Sequence, residues 1–222
     1  MRWIVLAGSL VAGCHDATPP APPPDPALGS GFTDHFDRAA PGSDYRDTAG
    51  DGVYRIENGS LVFAKAHNHP LWLARALPND VRIELDATSR SPEGDVKVEL
   101  FGDGYRHESE DAVAKDLIYT ASGYVFIFGG WRNSRSVIVR QDEHAWEHDR
   151  GVPLRTSPRV VAGQTYHWTI TRRGGHLDWQ IDGKPFLAWD DPQPLAGPGH
   201  DHFAFDGWDT ECVFDNLVIT PL

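Results

Sequence analysis

The chain has 222 residues and a formal net charge of −12, with eight tryptophans, eleven histidines and two cysteines. That length allows a signal segment and one all-β domain of the larger sort. Its acidity argues against nucleic acid and against anionic lipid headgroups as partners, because both would be repelled. Two cysteines give no disulfide framework once one of them has another use.

The first elements are Arg2, a short apolar run from Trp3 to Val11, and Val11-Ala12-Gly13-Cys14. A positive start, an apolar core too short to cross a bilayer and a small-residue end describe a secretory signal. Small residues directly before a cysteine resemble the lipobox of bacterial lipoproteins. The resemblance implies cleavage before Cys14, lipidation of its thiol, and a membrane contact made through that anchor alone. His15 rather than an aspartate after Cys14 favours sorting to an outer membrane or the cell surface. Residues 14–30 contain the proline run up to Pro26 and read as a semi-rigid polyproline tether. The predicted domains are a signal at 1–13, a lipidated tether at 14–30 and a globular domain at 31–222. No later apolar run is long enough for a helical membrane span.

The domain reads as strand after strand. Val81 to Ala87 alternates with period two, sending Val81, Ile83, Leu85 and Ala87 to one face and Glu84 and Asp86 to the other. Val96, Val98 and Leu100 repeat the pattern against Asp95, Lys97 and Glu99, after the turn chemistry of Ser91 to Gly94. Gly123 to Phe128 is apolar on both faces, as a strand covered on two sides would be, and Ser136 to Arg140 follows as its partner. Asp111 to Leu117 offers one or two helical turns. Strands over Tyr166–Arg172, His176–Ile181 and Pro185–Trp189 are joined by Gly174-Gly175 and Asp182-Gly183, a strong hairpin cue. Cys212 to Ile219 closes the chain, and Cys212 itself reads as a small core hydrophobe. Short strands at this spacing predict a two-sheet antiparallel sandwich. Its core is expected from Val81, Ile83, Leu85, Val96, Val98, Leu100, Val125, Ile127, Ile170, Leu177, Trp179, Ile181, Leu217 and Ile219.

Three stretches resemble concanavalin A-like (laminin G-like) jelly rolls: Phe32 to Arg38 with Ile56 to Leu61, the hairpin from Trp168 to Gly183, and the ending Val213 to Ile219. The likeness runs from about Gly31 to Leu222 and is nearest to uncharacterised or glycoside-hydrolase-like bacterial members. It implies an all-β jelly-roll sandwich with one concave face. The architecture hosts lectins, polysaccharide-cleaving enzymes and interaction modules alike, so it does not fix the function.

Retaining glycosidases of this fold resemble Glu-x-Asp-x-Glu on one strand, where carboxylates two residues apart share a face. Glu84 and Asp86 begin such a pattern, but Thr88 breaks it. A catalytic pair drawn from Glu84, Asp86 and Glu99 on neighbouring strands is the enzymatic expectation, and solvated strand faces are the bland alternative. His144-Ala145-Trp146-Glu147-His148 matches the letters of an inverted zinc-protease motif. Its surroundings read as strand end and loop rather than helix, so a zinc site is not expected. The family likeness allows a structural calcium between the N-terminal segment and the last strand, with Asp34 or Asp37 and Asp215 as its oxygen donors, against the plainer alternative that Asp215 only anchors a strand end or turn. No other cofactor is required. No serine-nucleophile elbow and no phosphate-binding glycine loop is present.

Gly129-Gly130-Trp131-Arg132-Asn133 leads toward Arg140 and Glu143-His144, placing a ring beside planar polar groups as a sugar cleft needs. Trp131, Asn133, Arg140 and His144 are the candidate ligand-binding residues, with Trp131 expected to be exposed, and Trp208 is a second platform. The leading expectation is a cell-envelope lipoprotein that binds a polysaccharide or oligosaccharide on the concave face. The alternatives are a glycoside hydrolase, and a structural or protein-binding module without a small-molecule site.

Overall fold

The computed structural model describes residues 23–106 and 120–222. The expected signal, Cys14 and the 111–117 helical turn lie outside them. Five short strands come first: β1 (Phe32–Asp34), β2 (Tyr45–Asp47), β3 (Tyr54–Glu57), β4 (Ser60–Phe63) and β5 (Leu71–Leu73). Then follow β6 (Val81–Ser89), β7 (Val96–Gly102), β8 (Thr120–Gly129), β9 (Arg135–Asp142) and β10 (Leu154–Arg155). The last are β11 (Thr165–Arg173), β12 (His176–Ile181), β13 (Lys184–Asp190), β14 (His202–Asp206) and β15 (Cys212–Pro221).

They form two antiparallel sheets. One has the order β13-β12-β11-β6-β15-β4-β3, with β1 pairing along β15; the other has the order β10-β9-β8-β7-β14-β5-β2. Alternation decides which side chains meet between them. Val81, Ile83 and Leu85 from β6 and Val96, Val98 and Leu100 from β7 are at most 1% exposed and share one core. All fourteen expected core residues are buried. Val125 and Ile127 are the informative exception, because they point away from that core. With Val137, Val139, Ala145 and Val152 they make a second cluster on the outer face of the seven-stranded sheet, so β8 is covered on both sides as its composition suggests. The Gly174-Gly175 hairpin aligns Trp168 with Ile181 and Ile170 with Trp179.

Packing starts before residue 31. Leu28 is buried, and its N–H donates to the Ala76 carbonyl at 2.8 Å. Asp25 faces the Arg46 guanidinium at 3.0 Å and the His202 ring at 3.1 Å. The last third of the expected tether is therefore docked on the domain rather than standing clear of it.

Asp34 does not behave as the calcium ligand expected of it. Arg38 donates two parallel bonds to its oxygens at 2.6 and 2.7 Å, the Tyr45 hydroxyl donates at 2.8 Å and the Phe36 N–H at 2.8 Å. Asp215 accepts from Ser60 and from the Asn216 N–H, and Asp37 is exposed. No group of three or more His, Cys, Asp or Glu among the described residues could hold a metal ion. An arginine fork fills the place that the resemblance gave to a cation.

Burial opposes the Asp34 charge, but Arg38, the Phe36 N–H and Tyr45 outweigh it and hold its pKa below the ordinary carboxylate value. A depressed folded pKa means stability that is complete above about pH 4, the unfolded value, and is lost as pH falls through the folded one. Asp34→Asn should lower unfolding stability by about 1–3 kcal/mol at pH 7. Urea melts at pH 7 and pH 3.5 should show that gap narrowing in acid; a constant gap would mean that the charge is not what matters.

Candidate functional site

A cleft of about 590 Å³ opens over the outer face of the seven-stranded sheet, in the range of small-ligand pockets. Trp131, His144 and Trp208 line it together, as do Asn68, Asp95 and Glu143. Three of the five expected ligand-binding residues thus share one space.

The Trp131 wall is built on unusual backbone. Gly129 has φ 70°, and Trp131, Arg132 and Asn133 have φ 49°, 60° and 56°, so four of the five residues from Gly129 to Asn133 are left-handed. Each non-glycine residue there costs roughly 1–2 kcal/mol, so the surroundings must hold the turn in place. Asn133 does this with its side chain. Its amide donates to the carbonyls of Pro92 at 3.0 Å and Val160 at 2.7 Å, and its oxygen accepts from the Val160 N–H at 2.9 Å. Asn133 is therefore a strut rather than a ligand contact. The turn sets the half-buried Trp131 ring against Trp146 at 5.0 Å and His144 at 5.6 Å.

The opposite wall is Trp208, half-buried and packed on His67 at 4.9 Å between ring centroids. Asp95 joins the walls. Its N–H donates to the Gly129 carbonyl at 2.9 Å, while its carboxylate accepts from the Trp208 N–H at 3.3 Å.

Beneath lies a polar cluster that alternation alone would have left in water. Lys97 is fully buried on the outer face of β7; its ammonium donates to Asn68 at 2.6 Å and Glu143 at 3.0 Å, with Asp206 at 3.9 Å. The Asn68 amide donates in turn to Glu143 at 3.0 Å. Burial raises the pKa of both Asp206 and Asp95. Asn68 and Lys97 were not foreseen as site residues. The only sequence signal is a lysine at a position where its neighbours on the same face, Val125 and Ile127, are apolar.

Other expected residues lie elsewhere. Arg140 shares the parity of Ile138, so it turns to the core side of β9 and donates to the Gln193 carbonyl at 2.9 Å beside Asp191. Glu84 and Asp86 lie on the outer face of the other sheet, where Asp86 meets the His167 ring at 2.8 Å and the Asn216 amide at 2.8 Å. Glu99 is 1% exposed on the opposite side of the sandwich. Two packed sheets about 10 Å apart stand between them, so the expected carboxylate pair does not form. His144 and His148 meet different carboxylates, Glu147 at 3.0 Å and Asp142 at 3.2 Å, so the zinc-like letters hold no common centre.

No protein-family model matches the chain, and no curated protein is similar to it in sequence. Solved structures are similar in fold. A Bacillus subtilis protein of unknown function with a galectin-like fold superposes with a TM-score of 0.60 at 13% identity, over 87% of this chain and 96% of that one. The carbohydrate-binding module CBM66 from Bacillus subtilis gives 0.55 at 12% identity, over 82% and 98%. A prokaryotic β-1,3-1,4-glucanase (lichenase) derived from a mouse hindgut metagenome gives 0.60 at 9% identity, over 87% and 100%. At such identities the likeness establishes the fold alone. With its two antiparallel sheets, the chain is a concanavalin A-like jelly roll.

Proposed function

We propose that the chain is a cell-envelope lipoprotein, outer-membrane or surface-facing, that binds a polysaccharide or oligosaccharide in the cleft between Trp131 and Trp208. One observation carries the reading: two tryptophans from separate loops line one cleft beside carboxylates, an imidazole and a hydroxyl. Sugar rings present apolar C–H faces to such planes and hydroxyls to such polar groups. A carbohydrate-binding module and a glucanase share the architecture, which supports a saccharide site on it.

Binding is favoured over cleavage because the glutamates on the sheet beneath the cleft, Glu143 and Glu99, are spent on structure. Glu143 is held by Lys97 and Asn68. Glu99 accepts from the Ser122 hydroxyl at 2.9 Å and the Gly123 N–H at 2.6 Å, and burial pushes its pKa up to about 8. Glycan cleavage needs two carboxyl groups flanking one bond.

In affinity electrophoresis against soluble polysaccharides, Trp131→Ala and Trp208→Ala should each weaken binding at least tenfold. Trp131→Ala should also cost about 1–2 kcal/mol of stability, since its ring is half-buried. The double variant Glu84→Gln, Asp86→Asn should bind normally, because those residues lie on the far sheet. Unchanged retardation of both tryptophan variants would overturn the site, and release of reducing ends would replace binding with hydrolysis.

Glu99→Gln tests its structural role. A carboxyl whose folded pKa exceeds its unfolded value contributes stability that is complete below about pH 4.3 and declines as pH rises to 8. The variant should therefore gain on the parent by roughly 4 kcal/mol between pH 5 and pH 9 in urea melts. A gap that does not change with pH refutes the buried proton.

The anchor is tested on the chain purified from cells in detergent. Mass spectrometry should find acylated Cys14 as the first residue, and an intact Met1 or an unmodified terminus would refute it.

A further inference from the structure

The walls of the cleft carry surplus negative charge, and the surplus says which glycans fit. Five carboxylates line it, from Glu93, Asp95, Glu143, Asp209 and Glu211, against the single guanidinium of Arg132. Two are already matched: Glu143 by Lys97, and Glu211 by Arg55 and Arg90. Glu93, Asp95 and Asp209 remain against Arg132, a formal excess of two negative charges with the His67 and His144 rings counted neutral. Asp209 flanks Trp208, and its carboxylate, 64% exposed, is 3.6 Å from the His67 ring.

The floor tells the same story independently. Asp206 is wholly buried, and its Oδ2 has no hydrogen bond, the Lys97 ammonium standing 3.9 Å away. The single Lys97 ammonium there thus faces two carboxyl groups, Glu143 and Asp206. A uronate or sulfate ester entering this space would meet like charge in a partly dry cleft, where the repulsion is screened less than in bulk water. An ammonium group would meet carboxylates at its edges and the negative faces of two indole rings.

Resting on the carbohydrate-binding reading, we infer that the ligand is a glycan bearing free amino groups, a polymer of glucosamine type, with its ammonium between Asp95 and Asp209 beside the Trp208 ring. The specificity-determining residues are then Asp209 and Glu93, whose carboxylates line the cleft without carrying the fold.

Calorimetric titration of the full chain at pH 6 and low salt, with chitosan oligosaccharides, their fully N-acetylated counterparts and oligogalacturonate, tests this. The glucosamine oligomers should bind at least tenfold tighter than the acetylated ones, and oligogalacturonate should not bind. The preference should shrink in 0.5 M NaCl. The double variant Asp209→Asn, Glu93→Gln should remove it while its melting temperature stays that of the parent. Equal or tighter binding of acetylated oligomers, or any binding of oligogalacturonate, overturns the inference and leaves the saccharide cleft standing. Failure of every glycan, including the neutral polysaccharides of the electrophoresis panel, overturns both.

Discussion

The structure around the cleft depends on one buried cation. Lys97 lies on the outer face of β7 with no exposure, and an ammonium removed from water is tolerated only when paired and hydrogen-bonded. Its partners come from separate parts of the chain: Asn68 from the segment before β5, Glu143 from the end of β9, and Asp206 from the end of β14. Satisfying the charge therefore draws these segments together over the sheet. The His67 and Asn68 N–H groups, donating to the Trp208 and Gly207 carbonyls at 3.0 and 2.9 Å, extend the same clamp to one tryptophan wall. A cleft walled by loops thereby acquires a fixed floor, as a binding site would need.

The other wall is held by the backbone. A left-handed turn through Trp131 and Arg132 is disfavoured in isolation and persists because Asn133 fastens it to Pro92 and Val160. Space adds to the constraint. A Cβ on Gly94 would sit 2.5 Å from the Gly129 carbonyl oxygen, so the two chains pass too closely for any side chain there. Strain near a cleft, over-determined by its surroundings, is how proteins aim a bulky ring outward from a strand end.

Much of the fold is legible in the sequence because its signal is periodic. Val81, Ile83 and Leu85, or Val96, Val98 and Leu100, declare a buried face whichever sheet they join. Parity does not say which sheet a strand enters, nor what covers the polar side. Glu84 and Asp86 read like Lys97 and Glu99, yet the first pair lies against His167 and Asn216 at the surface and the second is entombed under loops. That is why a catalytic pair across them looked feasible and is not formed. That Trp131, His144 and Trp208 share one cleft was legible because aromatic and polar residues cluster at glycine-rich or acidic turns. Asn133 and Arg140 share that composition and were drawn in with them, although their side chains are spent inward. Asn68 was invisible, since its role exists only once a distant lysine is buried beside it.

Sheet direction relates the cleft to the N-terminal segment. Asp25 is bound at His202, where β14 begins, while Asp206 and then Trp208 stand where it ends, beyond a strand length of about 13 Å. β7 runs antiparallel beside it, with Gly102 at the Asp25 end and Asp95 at the cleft. The docked segment and the cleft thus occupy opposite ends of the same strands. With the anchor proposed at Cys14, the chain would leave the membrane, attach at one end of the seven-stranded sheet and present its tryptophans at the other. Docking through Asp25, Arg46 and Leu28 fixes where the described chain joins the sheet, at the end opposite the cleft.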